Sequence, residues 1–286
     1  MNSFTPTLPE QLIRQSVEGA LAEDLGGGDI TSTAIVDSAS ASTGTLRAEA
    51  YGVVAGIELA RGVFKSVDPN LNFCPTMSDG DKVSADAVIF TVTGNSRAIL
   101  VGERVALNFL QHLSGIATLT SQFCDVVRTY SVQIAATRKT TPGLRYLEKW
   151  AVTVGGGIPH RRDLSDGVLI KDNHLALCGG DVALACRQAR KNLGSGLRVE
   201  VEVNSLEQLQ AALDEAADIV LLDNMTVAEV ESAVQLAQGK VMLEVSGGIT
   251  FENVLGYAAA GPDIISIGLL TQSAPAIPMS LDLVGC

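Results

Sequence analysis

RVEVEVNSLEQLQAALDEAADIVLLDN, residues 198–224, decides the fold. It reads as a strand (RVEVEV), a helix (SLEQLQAALDEA) and a second strand (DIVLLD). A helix between two strands implies a right-handed crossover and therefore parallel strands. The same rhythm continues outward. Upstream lie the helix ATLTSQFCDVVRTY, strand VQIAAT, helix LRYLEKWAVTV, strand GVLI and helix DVALACRQARKN. Downstream lie helix TVAEVESAVQLAQ, strand VMLEVS, helix TFENVLGYAAA and strand DIISIG. Six strand-like pieces alternating with helices predict one parallel sheet.

The residues that end those strands choose between a barrel and an open sheet. They are Thr137-Arg138-Lys139, Lys171 to His174, Glu202 with Glu200 before it, Asp223-Asn224, Ser246-Gly247-Gly248, and Gly268. All are polar, charged or glycine. A barrel gathers every strand end on one face, where barrel enzymes place their chemistry, whereas an open sheet gathers only the central ones. The expectation is an α/β chain whose C-terminal part, residues 115–286, is an incomplete, six-strand β/α barrel.

Residues 1–114 have a different texture. PEQLIRQSVEGALAEDLG reads as an amphipathic helix with Pro9 in its first turn, and GGGDITST as a glycine-rich turn. TLRAEA, YGVVAG and AVIFTVTG are short and β-branched, with MSDGDKV as a turn between them. IELARGVFKSV and SRAILVGERVALNFLQHLSG read as helices. An α+β domain follows, ending near residue 114.

Composition narrows the function. A net charge of -12 disfavours nucleic acid, which requires a broad basic face. No apolar run reaches the length of a membrane span, and the N-terminus lacks a basic region followed by an apolar one. The expectation is a cytoplasmic protein. The five cysteines, Cys286 among them, are scattered and form no CxxC pair, so they read as inert thiols.

Against this acidic background, residues 138–174 carry seven Lys and Arg and four acids. Arginine forks suit planar anions, so Arg138 and Arg161 fit a dicarboxylate, with His160 sharing charge. Arg162 reads as structural or surface, and Arg145, Lys149 and Gln272 receive no role. VSGGIT follows a strand and opens a helix, so Gly247 and Gly248 can bring backbone N–H groups to a phosphate, with Gly268 beside them. Glu202 and Asp223, near Lys139 and Lys171, suit Mg²⁺ or ribose hydroxyls; Glu200 lies deeper and reads as the more structural acid. His112 and Arg104, on a helix, say little alone. Neither a P-loop nor a GxGxxG fingerprint occurs.

EDLGGGDITS, GERVALNFLQHLSGIAT, TRKTTPGLR, GGGIPHR, LIKDNH, VEVEV, LLDN and SGGI occur in this order, and together they resemble the quinolinate phosphoribosyltransferase family from about residue 10 to the C-terminus. The resemblance implies that quinolinate and phosphoribosyl pyrophosphate give nicotinate mononucleotide, CO2 and pyrophosphate, with Mg²⁺, in NAD synthesis. It also implies a homodimer or a higher assembly, up to a hexamer, in which one subunit's N-terminal domain covers its partner's barrel mouth. Thr137, Arg138, His160 and Arg161 match substrate-binding positions, and Arg104 matches an arginine reaching the partner's site. Lys139, Lys171, Glu202 and Asp223 match catalytic positions, Glu202 and Asp223 being nearest the metal. Ser246, Gly247, Gly248 and Gly268 match the 5′-phosphate loops. Rival readings are a relative taking another base, a phosphosugar barrel enzyme and a non-catalytic sensor.

Overall fold

The computed structural model describes residues 7–193 and 196–285; Cys286 lies outside the described residues. In chain order the first elements are α1 (Glu10–Leu25), α2 (Ile30–Ile35), β1 (Ala41–Ala48), β2 (Gly52–Val53), α3 (Ile57–Val67), β3 (Asn72–Pro75), β4 (Lys82–Val83), β5 (Val88–Asn95) and α4 (Ser96–Val127). They are followed by β6 (Gln133–Ala135), α5 (Arg145–Val154), β7 (Val168–Ile170), α6 (Asp172–Leu177), α7 (Val182–Leu193), β8 (Val199–Val203), α8 (Leu206–Asp214) and β9 (Ile219–Asp223). The last are α9 (Val227–Ala237), β10 (Met242–Ser246), α10 (Val254–Ala260), β11 (Ile264–Ser266), α11 (Leu269–Gln272) and β12 (Met279–Gly285).

Two compact units result. Of the described residues, the first holds those up to Ser121, Thr153–Gly156, and those from Ala274 to Gly285; the second holds those within Gln122–Val152 and Gly157–Ser273. In the first unit the sheet order is β12-β1-β5-β3, with antiparallel pairing. Alternation along β1 buries Ser42, Gly44, Leu46 and Ala48 on one face. Phe64 of α3 packs on Phe73 and Phe90 of the sheet at centroid distances of 6.1 and 5.8 Å, a staggered aromatic core. The final strand, in a stretch that the sequence reading grouped with the barrel, pairs with β1 from Ser42↔Gly285 to Ala48↔Met279.

Three local expectations change. GGGDITST is not only a turn: Asp29 accepts a hydrogen bond from Ser32 N at 2.9 Å and caps the short helix α2. The two helices expected around residue 115 are one, α4, because Gly115 does not break it. A Cβ at Gly115 would stand 2.2 Å from the Pro275 carbonyl oxygen, so this glycine serves close approach rather than chain reversal. The short α6 also forms after β7, where no helix was expected.

The second unit carries the expected six-strand parallel sheet, in the order β6-β11-β10-β9-β8-β7. That order is cyclic in sequence, with each later strand laid beside the next, as in a barrel wall. Among the described residues β6 and β7, the two ends of that order, do not pair with each other; Ala135 of β6 instead bridges Ile158, in the loop before β7. The barrel is therefore incomplete. Val199, Val201 and Val203 are buried beneath the helices, while Glu200 and Glu202 point the other way.

Gly115→Ala is expected to lower stability by about 1–3 kcal/mol through overpacking, seen as a lower denaturant midpoint at unchanged slope. Gly19→Ala, in an exposed stretch of α1 with nothing within 4 Å of the added Cβ, is expected to raise stability by about 0.5–1 kcal/mol in the same melt.

Candidate active site

Strand register builds the site in rows. Residues paired across a parallel sheet face the same side, so each pairing row of alternate residues lines the barrel bore. The deepest row is Leu169–Glu200–Ile219–Met242. The next is Glu202–Leu221–Glu244–Ile264. The rim row is Asp223–Ser246–Ser266–Ala135, two residues further along each strand. Acids and hydroxyls thus occupy a face that would otherwise be aliphatic.

Above these rows lies a cavity of about 640 Å³. Thr137, Arg138 and Lys139 enter it from the end of β6, Lys171 from β7, Glu202 from β8 and Asp223 from β9. Ser246, Gly247 and Gly248 close it from β10, and His160 and Arg161 enter from the loop before β7. The structure therefore gathers eleven of the thirteen sequence-predicted site residues around one space. Gly268 stands just outside that wall, but its Cα faces the Lys139 side chain: a Cβ there would lie 3.1 Å from Lys139 Cδ. Arg104 is exposed on α4 and does not line the cavity.

Specific bonds hold these groups. Thr271 of α11 donates to the Lys139 carbonyl at 2.6 Å, and Thr137 Oγ1 accepts from Lys139 N at 3.1 Å. Lys171 Nζ meets Glu202 Oε2 at 2.6 Å, so two strand ends are tied by a charge-assisted bond. Asn224 donates to Asp223 at 2.8 Å. Gly247 and Gly248 both have positive φ, 97° and 61°, and a Cβ at Gly247 would strike Asn224 Oδ1 at 2.2 Å. Only glycine fits there. The helix expected to open on these glycines begins later, at Val254, after a turn held by Asn253 Nδ2 donating to the Gly248 carbonyl at 2.8 Å. Backbone N–H groups of the loop, rather than a helix start, are what the glycines offer an anion.

The basic loop divides into scaffold and site. Arg162 pairs with Asp166 at 2.7 Å on the surface, and Lys149, buried on α5, donates to the Pro159 carbonyl at 2.5 Å. Burial, with Arg145 and Arg138 nearby, pulls Lys149 down to about 8. Arg145 binds Thr140 at 3.0 Å, and His174 Nδ1 accepts from Lys171 N at 2.9 Å. Gln272 is exposed. What remains to face a ligand is Arg138 and Arg161, the latter steadied by one guanidinium nitrogen that donates to the Gly167 carbonyl at 3.1 Å. Burial and then the charge of Arg138 lower the Arg161 pKa. Among the described residues, both Nε atoms are buried without a protein hydrogen-bond partner. An anion placed between two such forks relieves their repulsion and takes their hydrogen bonds.

Beneath them is a group that sequence reasoning did not assemble. His160, held at a positive φ of 49°, lies 2.6 Å from Glu244 Oε2 and 3.7 Å from Glu200 Oε2. Burial pulls the imidazole pKa down, but the hydrogen bond and charge of Glu244, with Glu200, outweigh it and the net direction is upward. Burial and the Glu244 charge push Glu200 up to about 7, against the pull of His160. Glu244 was overlooked although VMLEVS puts an acid inside a buried parallel strand, the same signal that marked Glu200 and Glu202. Ser266, also overlooked, is buried with no protein partner for its Oγ among the described residues.

Known proteins share this architecture. The quinolinate phosphoribosyl transferase C-terminal domain matches residues 116–282 and the corresponding N-terminal domain residues 29–114. The chain belongs to the quinolinate phosphoribosyl transferase family. Its relatives in that family include the nicotinate-nucleotide pyrophosphorylase [carboxylating] of Mycobacterium leprae, 41% identical over 278 residues and covering 94% of this chain and 96% of that protein. The probable nicotinate-nucleotide pyrophosphorylase [carboxylating] of Bacillus subtilis is 40% identical over 261 residues, covering 91% of this chain and 90% of its own. The nicotinate-nucleotide pyrophosphorylase structure from Francisella tularensis superimposes with a TM-score of 0.92 at 38% identity, covering 98% of this chain and 99% of that one. Among the described residues no helix is long and apolar enough to cross a membrane.

Two outcomes test this geometry. Gly247→Ala is expected to weaken binding of inorganic phosphate by about tenfold or more in calorimetry, a loss of roughly 1.4 kcal/mol. The second concerns pH. His160 and Glu200 both have folded pKa values above their unfolded ones, so the folded chain holds more protons from about pH 4.5 upward until both groups have titrated. Stability from these groups is full at low pH and is lost as pH rises through the folded values. Unfolding free energy is expected to fall with pH across that window, and Glu200→Gln to flatten the fall.

Proposed function

We propose that this protein is a quinolinate phosphoribosyltransferase: it joins quinolinate to phosphoribosyl pyrophosphate and releases nicotinate mononucleotide, CO2 and pyrophosphate, a step of de novo NAD synthesis. The observation that carries this reading is the pairing, in one cavity, of two arginine forks with a lysine–carboxylate rim. A pyridine dicarboxylate needs the first and a phosphoribosyl pyrophosphate the second. A phosphosugar isomerase would need the glycine loop but not the two arginines, and a sensor would need no catalytic rim.

The chemistry requires no protein nucleophile. The lone pair of the quinolinate ring nitrogen forms a bond to the anomeric carbon while the bond to pyrophosphate breaks, its electrons leaving with the phosphate oxygen. Lys139 and Lys171 balance that departing charge, and Glu202 and Asp223 face the positive charge that develops on the ribose. The product nitrogen is cationic. The bond between the ring and the 2-carboxylate then breaks and CO2 departs. The bond's electron pair stays on C2, stabilised by the adjacent cationic nitrogen. A proton from solvent turns that carbanion into the C2–H of nicotinate mononucleotide, whose ring nitrogen remains cationic. Arg138, Arg161 and His160 hold the carboxylates and keep the nitrogen aimed at the ribose. Gly247, Gly248, Ser246 and Gly268 take the 5′-phosphate, and Thr137 shapes the substrate edge.

The rim suits Mg²⁺, because its donors are carboxylate oxygens at a solvent-accessible mouth. Glu202 and Asp223 are the residues that would hold it, and bound there it supplies charge neutralisation for pyrophosphate. The family resemblance further supports a cytoplasmic homodimer or larger assembly, up to a hexamer, in which Arg104 reaches the partner's site.

The deciding experiment measures CO2 release and nicotinate mononucleotide formation from quinolinate and phosphoribosyl pyrophosphate, with and without Mg²⁺. Product is expected only with quinolinate. Equal use of nicotinate would overturn the substrate assignment. Arg161→Ala is expected to raise the KM for quinolinate by about tenfold or more, as befits loss of a charged hydrogen bond, with little change for phosphoribosyl pyrophosphate.

A further inference from the structure

Glu244 is buried on β10, in the same row of the bore as Glu202 and one row below Asp223, and sequence motifs of the site do not include it. Its Oε2 lies 2.6 Å from His160 Nε2, a short bond to a histidine whose backbone is held in the left-handed region. Non-glycine residues stay there only when their surroundings hold them. The ring also faces Glu200 from β8, with Lys149 of α5 and its chain neighbour Arg161 nearby.

Hydrogen-bond chemistry gives this contact a consequence. With Nε2–H donated to Glu244, Nδ1 is the ring nitrogen left to serve a ligand. In a neutral imidazole that nitrogen is a lone pair and repels a carboxylate; in an imidazolium it is a donor and binds one. A dicarboxylate site next to two buried acids therefore works only if the histidine between them is charged. A neutral partner on β10 would orient the ring equally well but would not stabilise the charge.

We infer that Glu244 is a positioning residue for substrate recognition: through its contact with His160 it keeps the ring a cation with Nδ1–H turned to a carboxylate of the pyridine substrate. This deepens the function proposed above and rests on it. Glu244 itself need not touch the substrate. Its effect belongs to quinolinate binding and not to the phosphoribosyl side of the cavity.

Glu244→Gln tests this, because glutamine can accept from Nε2–H without carrying charge. At neutral pH the variant is expected to show a quinolinate KM raised about tenfold, the usual difference between a charged and a neutral hydrogen bond, with the KM for phosphoribosyl pyrophosphate unchanged. At pH 5.5 protonation of His160 from solvent is expected to restore the quinolinate KM to within about twofold of the wild type. Nitrogen-15 spectra of the histidines, with His160 assigned by a His160→Gln sample, are expected to show Nδ1 losing its proton at a higher pH in the wild type than in Glu244→Gln. Glu244→Asp is expected to keep the charged ring. An unchanged quinolinate KM in Glu244→Gln, a KM rise that low pH does not reverse, or identical histidine spectra would overturn the inference. An equal rise in both substrates' KM would also overturn it, since that marks general damage to the fold. Failure of the proposed reaction would show in the wild type, whereas failure of this inference shows only in the variant.

Discussion

Parallel pairing of the six strands is the constraint on which the site depends. A parallel strand must cross back over the sheet before it can pair again, so every strand ends on the same edge. Thr137 and Gly268 are far apart in sequence, yet the strands they follow, β6 and β11, are neighbours. The crossover helices bury one face of each strand and leave the other to the bore. Residues two apart on a strand then fall into rows, and the third row is the polar rim of Asp223, Ser246 and Ser266. Chemistry concentrates at the rim because backbone pairing stops there and side chains and loop N–H groups become free to serve a ligand.

Charge is organised on the same plan. The chain is acidic overall, yet its cavity gathers Arg138, Lys139, Arg161 and Lys171. Five acids, Asp172, Glu200, Glu202, Asp223 and Glu244, line the same space. A buried carboxylate is tolerated when paired, and removal of one partner is costlier than the pair is stabilising. Glu202 is paired by Lys171, and Glu244 by His160. Glu200 carries an oxygen without a protein hydrogen-bond partner among the described residues, and its carboxyl is pushed up to about 7. The lower bore is thus a polar layer whose protonation is set by its neighbours, beneath arginines that face the cavity.

Much of the fold was legible because alternation of strand and helix survives in the composition of each segment. VEVEV and IVLLD became β8 and β9, and IELARGVFKSV became α3 with the expected bounds. Glycine was harder to read. Gly115 looks like a helix end but is a point where the Pro275 carbonyl approaches α4, a contact visible only once residues far apart in the chain are packed. Gly247 and Gly248 marked a glycine loop at the strand end, but the helix behind them starts at Val254 because Asn253 first closes a turn on Gly248. Arg162 and Arg161 are chemically alike in the sequence. Asp166 engages the first on the surface, and the second keeps a guanidinium nitrogen buried without a protein partner.

The amino-acid sequence alone determined the parallel order and the identity of the strand ends. Those follow from hydrophobic period and residue chemistry, which are local properties. Only the tertiary structure decided which charges meet. Register placed Glu244 in the bore, and a left-handed turn aimed His160 at it. It also brought β12 back to β1. A one-residue shift along a parallel strand moves a side chain from helix to bore, and no local pattern encodes the neighbour that shift selects.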